Sequence, residues 1–89
     1  MKIGDRVGAI RSADENTVYV YGYGTYQGEE VPPEGTIGAF GVDLGKVGLK
    51  NPKILLDNGT VVWGCQCWWG PEERIKKEII GDREVKRGR

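Results

Sequence analysis

Alternation of apolar and polar residues predicts strands in the first quarter of the chain. It is clearest over residues 17–23, where Val18 and Val20 point one way and the intervening tyrosines the other. Residues 2–11 alternate more loosely and predict a first strand, and the polar residues 12–16 predict a turn after it. We expect the valines to face the core. The tyrosines then form a ladder on the outer face or lie under a covering loop.

A second pair of strands is predicted by the turn dipeptide Asn58-Gly59 between apolar runs at 52–57 and 60–68. Asn-Gly is the strongest short signal for a β-hairpin and predicts a type I′ turn. Consecutive Trp68 and Trp69 must point to opposite faces of the second strand. If Trp63, Trp69 and Val61 are core residues, Trp68 is on the outer side.

Between these hairpins lies a predicted irregular insertion, residues 24–51, with seven glycines and two prolines. Four apolar residues in it recur at spacings of three, four and three, as on one face of a helix. They are Ile37, Phe40, Leu44 and Val47. We expect a short helix or turn that packs Phe40 and Leu44 onto the sheet.

The C-terminal part predicts a helix over residues 71–80. Pro71 suits the first helical position, and the following glutamates suit the positive end of the helix dipole. Isoleucines form an apolar stripe at 75, 79 and 80, and Gly81 is a natural stop. Residues 82–89 are predicted to be a flexible, solvated tail, so that the domain covers residues 1–81.

Composition narrows the fold class. Fifteen of the 89 residues are glycine, which disfavours a helical bundle. Four or more short strands, glycine-rich connections and one terminal helix predict a mainly β protein, a small, strongly bent barrel with a C-terminal α-helix. The opening Gly4-Asp5-Arg6-Val7 resembles the first strand of SH3-like barrels, including KOW and CAP-Gly modules, which often begin with G-D-x-V.

That resemblance covers only the opening strand. The glycine pattern of KOW domains is missing after Val7, and the G-K-N-D-G signature of CAP-Gly domains is absent, so tubulin-tail recognition is not carried over. The blocks YGYGTYQGEEVPP and NPKILLDNGTVVWGCQCWWG also resemble small bacterial and phage proteins without an assigned activity. The resemblance therefore implies a fold, and an accessory role in a phage or mobile element, but no reaction.

The inventory of reactive side chains disfavours an enzyme. There is no histidine, Ser12 is the only serine, and the two thiols of Cys65 and Cys67 cannot by themselves supply the four ligands of a zinc site. We therefore expect no cofactor and no metal, and two reduced cysteines packed as small apolar groups. No apolar stretch is long enough for a membrane span, and we expect a cytoplasmic protein.

The candidate binding surface combines aromatic and acidic residues. Aromatic rings would supply affinity, and carboxylates would recognise a basic partner. The expected partner-binding residues are Tyr21, Tyr23, Tyr26, Glu29, Glu30, Glu34 and Trp68. The alternative is that the 24–51 loop folds over these rings and makes them a second small core.

Three functional hypotheses follow. The first is a non-enzymatic protein-interaction module. The second is sequestration of a nucleotide-like planar molecule stacked between Tyr and Trp rings, and the third is weak nucleic-acid binding through the basic C-terminal half. Net charge is zero, but residues 1–45 carry −4 and residues 46–89 carry +4. This asymmetry favours an orienting partner or head-to-tail self-association.

Overall fold

One six-stranded sheet organises the computed structural model, which describes residues 1–87 apart from the side chain of Ala39. The strands are β1 (Arg6–Ala13), β2 (Thr17–Glu30), β3 (Asn51–Leu56), β4 (Val61–Trp63), β5 (Trp68–Pro71) and β6 (Glu84–Arg87). Five of them lie in the order β4-β3-β2-β1-β5 with antiparallel pairing, and β6 pairs in parallel with β2. The predicted mainly β class is confirmed. In the described part of the chain the sheet is open, since no ladder joins β4 to β5.

Helical segments are short. They are a 3₁₀ turn (Ala39–Gly41), α1 (Leu44–Val47), a second 3₁₀ turn (Gly64–Gln66), α2 (Glu72–Arg74) and a π-helical segment (Ile75–Ile80). Among the described helices, none has the length and apolar character to cross a bilayer.

The predicted insertion begins later than its glycines indicate. β2 continues without interruption to Glu30 and pairs with β3 from Gly24 onward, so the irregular segment starts at residue 31. Gly28 has a φ of +90° and lies where the β2–β3 register shifts. The glycine therefore allows a β-bulge inside the strand instead of ending it.

The predicted flexible tail is wrong for residues 84–87, which belong to the sheet. Residues 84–87 form β6, which lies beside Thr17–Val20 of β2. That stretch of β2 precedes the part that pairs with β3, so its main chain has a free edge. Backbone hydrogen bonding drives this pairing, because the β6 side chains are exposed. Residues 88 and 89 of the predicted tail lie outside the described residues.

The Asn58-Gly59 hairpin is present, but its turn differs from the predicted type I′. The Gly59 N–H donates to the Leu56 carbonyl at 2.9 Å, and the Leu56 N–H donates to the Thr60 carbonyl at 2.8 Å. Gly59 has a positive φ and Asn58 does not. This pattern is a three-residue loop, a type I turn closed by a glycine bulge, and it needs only one left-handed residue.

A bulge in β2 divides the tyrosines between the two faces of the sheet. Ala9 pairs with Gly22 and Ile10 pairs with Val20, so Tyr21 is an extra residue between them. The extra residue reverses the alternation. Tyr23 consequently lies on the side of the valines, whereas Tyr21 lies on the opposite side. The predicted single tyrosine ladder is therefore wrong.

Both faces of the sheet carry a small core. We call core A the cluster Val7, Ala9, Ile54, Leu56 and Val62, against which Tyr21, Tyr26, Cys67 and Trp69 pack. We call core B the cluster Ile10, Val18, Val20, Ile75 and Ile80, against which Ala13, Tyr23 and Ile79 pack. Core A is formed by the sheet with itself, and core B is covered by the C-terminal helical segment.

The C-terminal helix begins one residue later than predicted, since Pro71 ends β5 and precedes the first turn, and its winding differs from the prediction. Only α2 is α-helical, and the π-helical segment that follows ends with the Gly81 N–H donating to the Lys76 carbonyl. Because π-helical hydrogen bonds join residues five apart, Ile79 and Ile80 both lie over Ile75. All three isoleucines thereby reach core B, and Gly81 caps the helix as predicted.

An ion-pair network fixes α2 to the sheet. The Arg6 guanidinium donates to both carboxylate oxygens of Asp57 (2.7 and 2.8 Å) and to Glu72 Oε1 (2.9 Å), and Lys76 Nζ donates to Glu72 Oε2 (2.9 Å). The hydrogen bond from Arg6 lowers the pKa of Asp57. The hydrogen bond from Lys76, followed by that from Arg6, lowers the pKa of Glu72. Arg6 pairs with acids from the second half of the chain, so the −4 and +4 halves are interleaved in space.

Candidate functional site

The consecutive tryptophans of β5 point to opposite faces, as their spacing predicts. Trp69 lies opposite Ala9 of β1 and packs against core A. Trp68 lies opposite Ile10, on the face of core B, but 67% of its surface is exposed. A tryptophan that opposes a buried isoleucine and is itself uncovered is the most conspicuous aromatic surface on the sheet.

Trp68 borders an apolar groove between β5 and the C-terminal helix. The groove has a volume of about 260 Å³. Its apolar walls are Ile10, Trp68, Trp69, Pro71, Ile75 and Ile79, and the charged residues at it are Arg74 and Glu78, whose side chains approach to 3.5 Å. We refer to this site as the Trp68 groove. Ile79 lies one helical turn beyond Ile75, at the edge of core B.

On its other side Trp68 borders a second depression of about 370 Å³. Arg11, Cys65, Gln66 and Cys67 line this depression. Arg11 also lies over the ring of Tyr19, 5.4 Å from its centroid. The indole of Trp68 thus borders both depressions, with Arg11 lining one and Arg74 lining the other.

The side chains of Tyr26 and Glu29 are hydrogen-bonded to each other. The Tyr26 hydroxyl donates to Glu29 Oε2 at 2.9 Å, and this hydrogen bond, followed by desolvation, raises the pKa of Tyr26. The Tyr26 ring stacks on Trp69 with centroids 5.5 Å apart and planes 6° apart. Tyr21 packs against core A beside them. These rings extend core A, and the described residues packed against core A with them do not include the loop that the alternative places over the rings.

Tyr23 lies on the opposite face and is also engaged. It packs against core B, and the ammonium of Lys76 lies 5.1 Å from its ring centroid. The bulge at Tyr21 is the reason for this separation, because without it the two tyrosines would share a face.

The two remaining acidic residues of the predicted site lie at the far end of β2. Glu30 accepts from Lys53 Nζ at 3.4 Å, and Glu34 is exposed in the following loop. Trp68 aligns through Ile10 with Val20, ten residues back along the same strand. The structure therefore does not bring the acidic residues to Trp68.

Sequence reasoning missed the other walls of the groove. The pattern predicts a helix start at Pro71 and a core-facing stripe for Ile75 and Ile79, whereas all three line the groove. The available signal was their position directly after the Trp-Trp pair. A strand that turns at once into a helix must place the first turns of that helix beside its last residues.

The two cysteines are free thiols in the 3₁₀ turn and just after it. Burial raises the pKa of both, and the pKa of Cys67 rises to about 11, with a further contribution from neighbouring Cys65. Cys67 Sγ lies 3.5 Å from the Trp63 carbonyl, to which it donates. At neutral pH both thiols are protonated, the form that is neither nucleophilic nor metal-binding. No group of three or more His, Cys, Asp or Glu residues in the described chain is placed to hold a metal ion.

Alkylation of Cys67 is expected to be slow at neutral pH and to accelerate up to a pH of about 11. The thiolate is the reactive form, and its fraction grows tenfold per pH unit below the pKa. Iodoacetamide labelling, read by peptide mass spectrometry across a pH series in the Cys65→Ser variant, isolates this thiol. A rate that levels off below pH 9 would contradict the buried environment.

We found no family model, no curated protein and no solved structure that matches this chain.

Proposed function

We propose that the protein is a non-enzymatic interaction module that binds a segment of another polypeptide in the Trp68 groove. The observation that carries this proposal is the 67% exposure of Trp68 beside a groove with apolar walls. Tryptophan and arginine are the residues most enriched among those that dominate protein–protein binding energy. An accessory role in a phage or mobile element remains part of the proposal and rests on the resemblance alone.

The groove suits an extended or polyproline-type segment. It is lined by an aromatic ring, a proline and aliphatic side chains, and proline-rich segments dock in aromatic-lined grooves. A volume of about 260 Å³ is small for a drug-sized ligand, whose sites measure roughly 300–1,000 Å³, but accommodates one or two apolar side chains.

The charges beside Trp68 favour an acidic partner, not a basic one. Arg11 stands on one side of the indole and the Arg74–Glu78 ion pair on the other, so the described charged residues beside Trp68 carry one net positive charge. Glu29 and Glu30, which would have attracted a basic partner, are at the other end of β2 and have intramolecular partners. The proposed ligand is therefore an apolar or proline-containing segment flanked by acidic residues.

We further propose that the sheet is a small SH3-like barrel. In support, β1 to β4 form a meander, and β5 returns after a 3₁₀ turn to pair with β1. Bulges in β1–β2 and β2–β3 bend the sheet so that one of its faces forms core A by itself.

The alternative hypotheses find less support. A planar base between two rings needs centroids about 7 Å apart, two van der Waals contacts of about 3.5 Å, and the Tyr26–Trp69 centroids are already in stacking contact at 5.5 Å. Among the basic residues proposed for nucleic acid, Lys76 and Arg74 pair with carboxylates and Arg83 donates to the Asp14 carbonyl. These contacts neutralise or occupy the cations that phosphates would need.

Fluorescence polarisation with two labelled decapeptides tests the proposal. Both contain a Pro-Pro-aromatic centre, and one has glutamates at its ends while the other has lysines. We expect the acidic peptide to bind more tightly, and Trp68→Ala to weaken it tenfold or more, as for a residue worth over about 1.4 kcal/mol.

The matched control is Val61→Ala, which trims an exposed apolar side chain on the other terminal strand, β4. It should bind as the wild type does. Equal affinity of Trp68→Ala and wild type, or preference for the lysine-flanked peptide, would refute the proposed site.

A further inference from the structure

The loop between β2 and β3 exposes more large apolar side chains than any other described segment. Phe40 is fully exposed at its tip, on the 3₁₀ turn, contrary to the prediction that it packs onto the sheet. Five further residues of the segment are also exposed: Val31, Ile37, Val42, Val47 and Leu49. Apolar protrusions of this kind mark interaction surfaces.

The loop is compact, so its apolar tip is a formed structure. Gly45 packs against the Pro33 main chain, and Gly38 packs against the buried side chain of Leu44. The Gly35 N–H donates to Asp43 Oδ2 at 2.9 Å, and Asp43 also caps α1. We refer to residues 31–50 as the Phe40 loop.

The Phe40 loop and the Trp68 groove lie towards opposite ends of β2. Trp68 is aligned with Val20, and the loop begins after Glu30. Ten residues of strand span at most roughly 33 Å at about 3.3 Å each, and the bulges at Tyr21 and Gly28 shorten this distance. The longest dimension of the protein is 40 Å, so the base of the loop is far from the groove of its own chain.

We propose that the Trp68 groove binds the Phe40 loop of a second copy of this chain. This inference rests on the proposed function and identifies its partner. The loop of one copy supplies an aromatic side chain and an apolar surface, and the groove supplies apolar walls around about 260 Å³. Because the two surfaces differ, the contact is heterologous and repeats from copy to copy, building an open chain, or a ring where the successive rotations close.

Charge complementarity selects this occupant. The Phe40 loop carries the exposed carboxylate of Glu34, while Glu29 and Glu30 at its base are held by Tyr26 and Lys53. Arg11 supplies the net positive charge beside Trp68, because Arg74 is paired with Glu78. An acid-flanked apolar segment is the ligand that the groove is proposed to favour, and this chain carries one. Ionic strength should therefore weaken the association, because exposed charges are screened.

Sedimentation velocity from micromolar to millimolar concentration tests the contact. We expect the wild-type mass to grow with concentration beyond that of a dimer. Phe40→Ser and Trp68→Ala should each remain monomeric, and both substitutions affect exposed side chains, so the fold should survive. Circular dichroism verifies that it does, and Val61→Ala should associate as the wild type does.

Mixing the two variants gives the sharpest result. Phe40→Ser keeps an intact groove and Trp68→Ala keeps an intact loop, so the mixture should form a one-to-one dimer and grow no further. A wild type that stays monomeric, or a mixture without dimers, would overturn self-docking. The peptide assay would still report on the groove, so failure of self-docking is distinguishable from failure of the proposed function.

Discussion

Gly24→Ala is expected to destabilise the protein severely. Gly24 lies opposite Leu56 in the β2–β3 ladder, and a Cβ at this position would overlap the carbonyl oxygen of Leu55 and lie 2.6 Å from the Cα of Leu56. The obstacle is main chain, so no rotamer change relieves it, and the central strand pair must separate. We expect a loss of about 3–5 kcal/mol, from a total of roughly 4–13 kcal/mol for a domain of this size.

Urea denaturation followed by tryptophan fluorescence measures this loss. Gly70→Ala is the matched control, because it adds the same methyl group to a strand glycine whose nearest neighbour would be Ile75 Cδ1 at 3.9 Å. Its stability should stay within about 0.5 kcal/mol of the wild type. A Gly24→Ala midpoint close to that of Gly70→Ala would mean that β2 and β3 are not paired in this register.

Ile54→Ala should destabilise the protein by about 2–5 kcal/mol, the usual cost of truncating a buried isoleucine. Ile54 has no exposed surface and lies in core A with Val7, Leu56 and Val62. Core A has no covering helix, so its cohesion depends on the bent sheet packing against itself.

Leu55→Ala provides the comparison, since Leu55 is the next residue, points to the opposite face and is 38% exposed. The urea midpoint should fall far less for this variant than for Ile54→Ala. Similar losses of stability for Ile54→Ala and Leu55→Ala would show that the two faces of β3 are equally buried.

Local patterns predicted the elements whose signals depend on near neighbours. The Asn58-Gly59 turn, the cap at Gly81 and the opposite directions of Trp68 and Trp69 all follow from spacing along the chain. The prediction of β2 stopped short because glycines at 24 and 28 were interpreted as the start of a loop. In the sheet, Gly24 permits close approach of β3, and Gly28 permits a bulge. Both features arise from the pairing of β2 with β3.

The predicted site requires the alternating tyrosines of β2 to lie on one face of the sheet, and the extra residue Tyr21 breaks this alternation. The bulge at Tyr21 separates Tyr21 from Tyr23, and alternation alone cannot reveal an extra residue whose cause is the register with β1. β6 escaped prediction for a similar reason. Its polar sequence lacks any strand pattern, and its partner is an unpaired edge of β2 that only the complete sheet defines.

The exposed Phe40 shows the limit of helical periodicity. Its spacing from Leu44 predicts a shared buried face, yet only Leu44 is buried. Phe40 has a φ of +61° and Gly41 a φ of +73°, so the chain leaves helical geometry between the two apolar residues. The left-handed turn directs Phe40 away from the sheet.

The indole N–H resonances of the three tryptophans provide the most direct test of the central claim, that Trp68 is the ligand contact. The glutamate-flanked peptide is titrated into ¹⁵N-labelled protein, and the Trp68 resonance is assigned by its absence from Trp68→Phe. We expect a saturable shift of the Trp68 signal with little change in the signal of Trp63, which is buried and does not line the groove. Saturable shifts elsewhere in the protein with the Trp68 signal unmoved would show that Trp68 is not the ligand contact.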